Sequence, residues 1–227
     1  MSNDRIGLVI LRHAESLEDI DNTAYEKIAD EDMPLSEKGR WQACMAGKAI
    51  VQEFRDRQNL RFVLSPSKRV LETAKIIISE LPRGTKWALS TERLIVKQNW
   101  GNVTVANRKA IEMERYRVGV LRYRFPGGES GSEMLSRFKT FAENLRQSLA
   151  SAKVEDLVVI ITHGFEMRVI LKSLLLWSEE FFESLAHPRN CELKRISFRE
   201  PRTLTLLNEM RRHDPATNPN FVQRQKT

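Results

Sequence analysis

Short apolar runs along this chain alternate with stretches whose apolar residues recur every three or four positions. The two strongest runs, residues 6–11 and 157–162, are rich in Ile, Leu and Val and predict strands covered on both faces. Weaker strand signals lie at residues 61–65, 87–89, 196–198 and 204–207, the last two as an edge hairpin. Strands that alternate with helices predict an α/β fold, a three-layer α/β/α sandwich with a mostly parallel sheet.

Helical signals separate these strands. Ser36 is placed as the N-cap of a helix that ends near Arg55. The predicted buried face of this helix carries Trp41, Met45, Ala49 and Ile50. Pro66 suits the first turn of the next helix, and Ser130 with Glu133 predicts a capping box at a later one. Between the first strand and the first helix, the acidic residues 17–35 predict a surface loop with one helical turn.

Composition narrows the class of protein. The chain has 227 residues, 41% of them hydrophobic and 30% charged, which is typical of a soluble globular protein. No linker or repeat interrupts residues 1–213, so we expect a single domain there, and the polar residues 214–227 predict a flexible tail. No apolar run is long enough to span a bilayer. Because Cys44 and Cys191 have no disulfide or metal-site spacing, we expect a reducing, cytoplasmic setting and no metal.

The basic excess does not indicate a nucleic-acid partner. The formal net charge is +7, and residues 194–227 alone contribute +5 of it, through eight basic and three acidic side chains. The charge therefore describes the C-terminal region more than a binding surface. We expect no nucleic-acid or membrane partner, and the sequence leaves homo-oligomerisation open.

Polar residues follow three of the predicted strands. Arg12 and His13 end the first strand, Arg69 lies just beyond the second, and His163 ends the strand at 157–162. Ligands bind beyond the carboxyl ends of parallel strands, so neighbouring strands would bring these side chains together. Arginine matches phosphate oxygens bidentately, and an imidazole nitrogen can attack phosphorus. The set predicts phosphoryl chemistry, and no Walker A or G-x-G-x-x-G motif indicates a nucleotide cofactor.

At this point the chain resembles a known family. Residues 12–16, R-H-A-E-S, are similar to the R-H-G-E-S signature of the histidine phosphatase superfamily, the phosphoglycerate mutase-like group. Further motifs of that family follow in order: L-S-E-K-G at 35–39, S-P-S-K-R at 65–69, E-T-A at 72–74, P-G-G-E-S at 126–130 and T-H-G at 162–164. Each motif is short, but the ordered set is specific and extends over most of the chain.

The resemblance implies a phosphoglycerate mutase-like fold and a phosphohistidine mechanism without a cofactor. His13 would be the nucleophile, with Arg12, Arg69 and His163 binding the phosphoryl group. Ser16 would line the pocket, and the backbone N–H of Gly164 would assist.

Two positions depart from the family pattern. Ala14 stands where the family has glycine, which we expect to be tolerated at negative φ. The family's proton donor, a glutamate, aligns with Val96 or Lys97, depending on the end from which the motif is counted. A replacement acid could come from Glu166 or from Asp30–Asp32, whereas Lys97 could contact the substrate as a cation.

The expected function is a metal-independent phosphatase that acts on a small-molecule phosphate monoester. The residues after Lys97 do not match the mutase signature, and Trp100-Gly101-Asn102 looks more like the broad-range phosphatases. A mutase is the first alternative. The second is a pseudo-phosphatase that binds phosphorylated ligands without turnover, because the glutamate is absent.

Overall fold

A computed structural model describes residues 5–150, 156–199 and 203–214 of the protein. Its strands are β1 (Arg5–Arg12), β2 (Asn59–Leu64), β3 (Lys86–Thr91), β4 (Asp156–Thr162), β5 (Leu193–Arg199) and β6 (Thr203–Leu206). Its α-helices are α1 (Leu17–Ile20), α2 (Glu37–Glu53), α3 (Lys68–Ser79), α4 (Val105–Val118), α5 (Gly131–Ala150), α6 (Gly164–Leu175) and α7 (Glu179–Ser184). Short 3-10 helices lie at Asn22–Glu26, Asp30–Asp32 and Arg93–Ile95.

The six strands form one sheet in the order β3-β2-β4-β1-β5-β6. β3, β2, β4 and β1 pair in parallel, whereas β5 and β6 pair antiparallel at the edge next to β1. The predicted mostly parallel sheet, the edge hairpin and the α/β/α architecture are therefore confirmed. β4 lies between β1 and β2, which explains why its sequence is apolar on both faces.

Alternate residues of β1 enter two different cores, because successive side chains point to opposite faces of a strand. Leu8 and Ile10 pack in a core with residues of α5 and α6, such as Phe138. Val9 and Leu11 pack in a second core with residues of α2 and α3. Helices thus cover both faces of the sheet.

The buried face of α2 differs from the predicted one. Trp41 and Met45 are 64% and 45% exposed, so the predicted face is wrong for these residues, and Ala49 is exposed as well. The helix instead buries Gly39, Ala43, Gly47 and Ile50. Small residues let the helix axis approach its neighbours closely. A Cβ on Gly39 would lie 1.9 Å from the carbonyl oxygen of Glu15, so the chain after β1 lies against the backbone of α2.

Two of the three predicted helix N-termini are found in the structure. Ser36 caps α2, since its Oγ accepts the Gly39 N–H at 2.9 Å. The capping box of α5 is present: Ser130 Oγ accepts from Glu133 N–H, and Glu133 Oε2 accepts from Ser130 N–H. Pro66, by contrast, lies before α3 rather than in its first turn, because Ser67 occupies the N-cap position.

Residues 17–35 contain the one predicted helical turn, α1, and two 3-10 helices that were not predicted. Of the expected tail, residues 215–227 lie outside the described residues. Among the helices in the described ranges, none is both long and apolar enough to cross a bilayer.

Candidate active site

Polar side chains gather where the three central strands end. β4 pairs with β1 on one side and β2 on the other, so the predicted adjacency of these strands is confirmed. His13 follows β1, and His163 follows β4 at the N-cap of α6. Their ring centroids are 5.1 Å apart and their planes make an angle of 70°. The two imidazoles therefore meet edge to face at the carboxyl end of the sheet.

His13 is held in one orientation and one tautomer. Its Nδ1 lies 2.7 Å from the carbonyl oxygen of Ala14. Because a carbonyl oxygen only accepts, Nδ1 carries the proton and Nε2 carries a lone pair. The backbone N–H of His13 donates to the carbonyl oxygen of Thr162 at 2.9 Å, which ties the residue to β4.

His13 is also kept uncharged. Only 2% of the residue is exposed, and burial lowers the pKa of His13 to about 3; the nearby charges of Arg69 and Arg12 act in the same direction. At neutral pH the imidazole is therefore neutral. This is the protonation state that a nucleophilic histidine needs.

His163 presents an open position. Its Nε2 lies 3.0 Å from Ser65 Oγ and 3.2 Å from Ser67 Oγ, and its Nδ1 is buried without a hydrogen-bond partner among the described residues. Burial, followed by the charge of Arg69, lowers the pKa of His163 well below its usual value. A serine hydroxyl can donate to Nε2 or accept from it; in the tautomer in which it donates, Nδ1 carries a proton that an anion can accept.

Arg12 is oriented by an acceptor on each terminal nitrogen. Nη1 donates to the carbonyl oxygen of Pro188 at 2.9 Å, and Nη2 donates to Asp19 Oδ1 at 2.5 Å. Asp19 accepts in turn from Ser16 and Asn190. Burial raises the pKa of Asp19, but Arg12 and the Ser16 N–H outweigh it, so the pKa lies below its ordinary value. The carboxylate is ionised and fixes the guanidinium.

Arg69 is fully buried on α3 and binds a carboxylate of the acidic segment. Its Nη1 donates to the backbone carbonyl of Asp30 at 2.5 Å, and Nη2 donates to Asp30 Oδ1 at 3.2 Å. Glu18 Oε1 lies 3.6 Å from Nε, which has no hydrogen-bond partner in the described ranges. The charged fork of Arg69 is thus covered by residues 18 and 30.

Lys97 contacts the same carboxylates. Its Nζ donates to Asp30 Oδ1 at 2.6 Å, to Tyr25 Oη at 2.8 Å and to Glu18 Oε2 at 3.3 Å. Burial raises the pKa of Asp30, but Lys97 and Arg69 outweigh it and hold the pKa below its usual range. Asp30 is therefore an anion shared between two cations.

The structure brings together five of the eight residues singled out in the sequence. These are Arg12, His13, Arg69, Lys97 and His163. Gly164 lies beside them, because a Cβ there would be 3.3 Å from Arg12 Cδ and 2.6 Å from His187 Nδ1. A side chain at this position would therefore disturb the site.

The other two residues have structural contacts. Ser16 donates both its N–H and its Oγ–H to Asp19, so it positions the partner of Arg12. Glu166 is buried, and its Oε1 accepts the backbone N–H of Gln98 at 2.9 Å. Glu166 therefore braces the segment that carries Lys97.

Ala14 fits where a glycine was expected. Among the described non-glycine residues, only Leu176 and Cys191 have a positive φ. Ala14 needs no left-handed backbone, and its N–H donates to Thr73 Oγ1 at 3.1 Å. The expectation that alanine is tolerated at negative φ is confirmed.

Sequence reasoning missed the partners of the two arginines. Asp19 was visible only as part of an acidic stretch, and Asp30 was considered with its neighbours as a replacement acid, not as the partner of Arg69. Asn190, which donates to Asp19 Oδ2 at 3.2 Å, is 171 positions away in sequence. His187 received no role, yet it lies against Gly164. Each of these contacts depends on where a loop runs, which a local motif does not encode.

The family model of the histidine phosphatase superfamily (branch 1) matches residues 8–209. A phosphoglycerate mutase-like protein of Arabidopsis thaliana is 31% identical over 202 residues, which cover 82% of this chain and 72% of that protein. A broad-range acid phosphatase of Saccharomyces cerevisiae is 30% identical over 109 residues; they cover 46% of this chain and 33% of the yeast enzyme. The match thus spans about a third of the yeast enzyme's length.

A solved structure shares the fold. A mycobacterial glucosyl-3-phosphoglycerate phosphatase superposes with a TM-score of 0.69 at 22% identity, and the match covers 93% of this chain and 100% of that one. The family match extends through both histidine motifs and most of the sheet. This chain therefore belongs to the histidine phosphatase superfamily, branch 1.

Proposed function

We propose that this protein hydrolyses a small-molecule phosphate monoester through a phosphohistidine intermediate on His13, without a metal ion. The observation that carries the proposal is the state of His13. It is a buried, neutral imidazole whose Nδ1–H is fixed by the Ala14 carbonyl, so the lone pair is on Nε2. Such a nitrogen is ready to attack phosphorus and to divide the transfer into two easier steps.

Charge around the two imidazoles supports binding of a phosphoryl group. Phosphoryl transfer depends mainly on positioning and on positive charge near the equatorial oxygens. Arg12, Arg69 and His163 each have a buried ring or guanidinium nitrogen without a hydrogen-bond partner in the described part of the chain. These nitrogens are Arg12 Nε, Arg69 Nε and His163 Nδ1. Buried donors of this kind cost free energy unless a ligand satisfies them, which favours an anionic ligand here.

The names of the relatives support hydrolysis over isomerisation. The yeast relative is a broad-range acid phosphatase, and the mycobacterial neighbour is a phosphatase of a phosphorylated glycerate derivative. In this reaction water would attack the phosphohistidine and release inorganic phosphate. The Arabidopsis relative is named mutase-like, so transfer to a second hydroxyl is the other candidate.

Turnover of p-nitrophenyl phosphate in EDTA tests the proposal. We expect His13→Asn to lower kcat/KM by at least about 10³-fold, because removal of a covalent nucleophile leaves only binding and electrostatic effects. His213→Asn is the matched control and should retain activity. Quenching the wild type in alkaline detergent with radiolabelled substrate should trap a phosphoenzyme that is labile to acid and that His13→Asn lacks. Equal rates for wild type and His13→Asn would refute the mechanism, and product without free phosphate would favour the mutase.

A further inference from the structure

A cavity of about 1180 Å³ is lined by Asp30, Lys97 and Ser67, and the Ser67 hydroxyl oxygen lies 3.2 Å from His163 Nε2. Tyr25 and Trp100 form aromatic parts of the wall. Asp30 also contacts Arg69, so one wall of the cavity borders the proposed phosphoryl site. A leaving group bound with its phosphoryl group on Arg69 would occupy this space.

The carboxylate of Asp30 marks where an anion sits between two cations. Its Oδ1 lies 3.2 Å from Arg69 Nη2 and 2.6 Å from Lys97 Nζ. A phosphoryl group that replaces this carboxylate on Arg69 therefore brings one of its oxygens within reach of Lys97. Lys97 also lines the cavity, so a leaving group that occupies this space lies next to its ammonium group.

Asp30, the carboxylate that contacts both cations, is a poor proton donor. Asp30 is held ionised because Lys97 and Arg69 lower its pKa below the ordinary value, despite its burial. Glu18 lies between the same two cations, at 3.6 Å from Arg69 Nε and 3.3 Å from Lys97 Nζ. Glu166 accepts the Gln98 N–H and braces the loop. The ionised carboxylate of Asp30 has no proton to give, whereas the Lys97 ammonium, 2.6 Å from it, carries three.

We propose that Lys97 is a catalytic residue of the phosphatase reaction proposed above, and that its ammonium group protonates the leaving oxygen. Tyr25 holds the ammonium in place, because its hydroxyl accepts from Nζ at 2.8 Å and donates to Asp30 Oδ1 at 3.1 Å. The Lys97 side chain is only 21% exposed, so it remains near the site.

The proton and electron pairs balance in both steps. The lone pair of His13 Nε2 forms the N–P bond, the P–O ester bond breaks with its electron pair on oxygen, and a Lys97 proton completes the alcohol. In the second step water oxygen attacks phosphorus and the N–P electron pair returns to Nε2. The neutral Lys97 amine takes the water proton, which restores the ammonium. Ester and water are consumed, and alcohol and phosphate are formed.

Two substitutions of Lys97 separate proton donation from charge. Lys97→Met removes both, whereas Lys97→Arg keeps the charge on a group that does not give up its proton. The readout is kcat/KM over a series of phosphate monoesters, from p-nitrophenyl phosphate to simple alkyl phosphates. General acid catalysis is worth about 10²–10⁴-fold, and poor leaving groups need it most.

We expect both variants to lose about 10²-fold or more on alkyl phosphates and less than about tenfold on p-nitrophenyl phosphate. Activity retained on p-nitrophenyl phosphate shows that each variant is folded. Lys68→Met removes another cation from the cavity lining and should change all esters by the same small factor. Full alkyl-phosphate activity in Lys97→Arg would overturn proton donation, as would an equal loss on every ester.

The inference rests on the proposed function, and the two can fail separately. Loss of p-nitrophenyl phosphate turnover in His13→Asn, together with leaving-group-independent effects at Lys97, would refute only the inference. Turnover that does not need His13 would refute the proposed function itself.

Discussion

The floor of the site and its rim are built in different ways. The floor consists of His13, His163 and Arg69, which are at most 3% exposed and belong to or follow the elements of the central sheet. The rim consists of residues 17–35, whose helices have only three to five residues. Ion pairs of Asp30 and Glu18 with the floor hold the rim in place. The floor is thus held by the buried sheet and its helices. The rim is held by ion pairs with Arg69, a cation that a phosphoryl group would also bind.

The largest expected effect is on the floor. Arg69→Gln should lower kcat/KM for p-nitrophenyl phosphate by about 10³-fold, because an arginine at a transferring phosphoryl group is worth at least that much. Lys68→Gln, the neighbour on α3, should stay within a factor of about two, since the Lys68 charge is exposed and screened by solvent. Steady-state kinetics of both variants checks this. Similar losses in the two variants would mean that overall charge matters rather than the buried fork.

A second substitution tests the close contact between α2 and the chain that follows β1. Gly39→Ala should lower the free energy of unfolding by about 3 kcal/mol, because the added Cβ meets backbone that has no room to move. The Cβ would lie 1.9 Å from the Glu15 carbonyl oxygen, which also accepts the Ser36 N–H at 2.9 Å. Urea unfolding measures the difference. Gly84→Ala is the control, since open space surrounds that glycine and only its positive φ of 90° opposes alanine. A Gly39→Ala variant as stable as the control would show that α2 shifts freely.

The pH dependence of stability separates the two regions. Unfolded histidine binds a proton below pH 6.5, whereas the pKa of His13 in the fold is lowered to about 3. The unfolded state therefore binds more protons over this window. Stability should fall as pH decreases from 6.5, by up to about 1.4 kcal/mol per pH unit for each buried neutral imidazole.

The rim carboxylates affect stability at a lower pH than the imidazoles do. The pKa of Asp19 and of Asp30 lies below the usual 3.8, so their stabilising contribution is present above that value and is lost only as pH falls below it. Urea unfolding at pH 7, 6 and 5 should therefore report the buried imidazoles, which include His13, His163 and His187. His13→Asn should reduce the slope by the share of one imidazole, and Asp30→Asn should leave it unchanged. A slope that Asp30→Asn removes would reverse this assignment.

The smallest expected effect is on the rim itself. Asp30→Asn should tighten binding of inorganic phosphate by about tenfold, or 1.4 kcal/mol, because phosphate no longer competes with a carboxylate on Arg69 and Lys97. Isothermal titration of the wild type and the variant measures the change. Asp32→Asn has the same charge change in the same 3-10 helix, is exposed, and should have little effect. Weaker phosphate binding in Asp30→Asn would show that Asp30 positions the cations rather than covering them.

The same contrast explains what the sequence could predict. The residues of the floor could be predicted from the sequence. An apolar run indicates a buried strand, and the sheet topology then places the residue that follows the strand. His13 and His163 follow from two such runs. The sequence also indicated that a carboxylate was missing at Val96 or Lys97.

The contacts of the rim could not be predicted from the sequence in this way. Which carboxylate reaches which arginine depends on the path of residues 17–35 over the sheet edge, and weak periodicity does not encode that path. The face of α2 was misjudged for a related reason. Trp41 and Met45 are large and apolar, but close approach to Glu15 selects Gly39 and Ala43 for burial.

The central position of β4 has a consequence for amide exchange. A strand paired on both sides and buried on both faces opens only when the whole domain unfolds, whereas short surface helices exchange through local opening. We therefore expect amide exchange to be slowest in β4, which His163 follows, and faster in the segment that holds Asp30. On this expectation, a local opening of residues 17–35 would expose the site and leave the protection of β4 unchanged. Access to the site and the lifetime of the fold are in this way set by different parts of the chain.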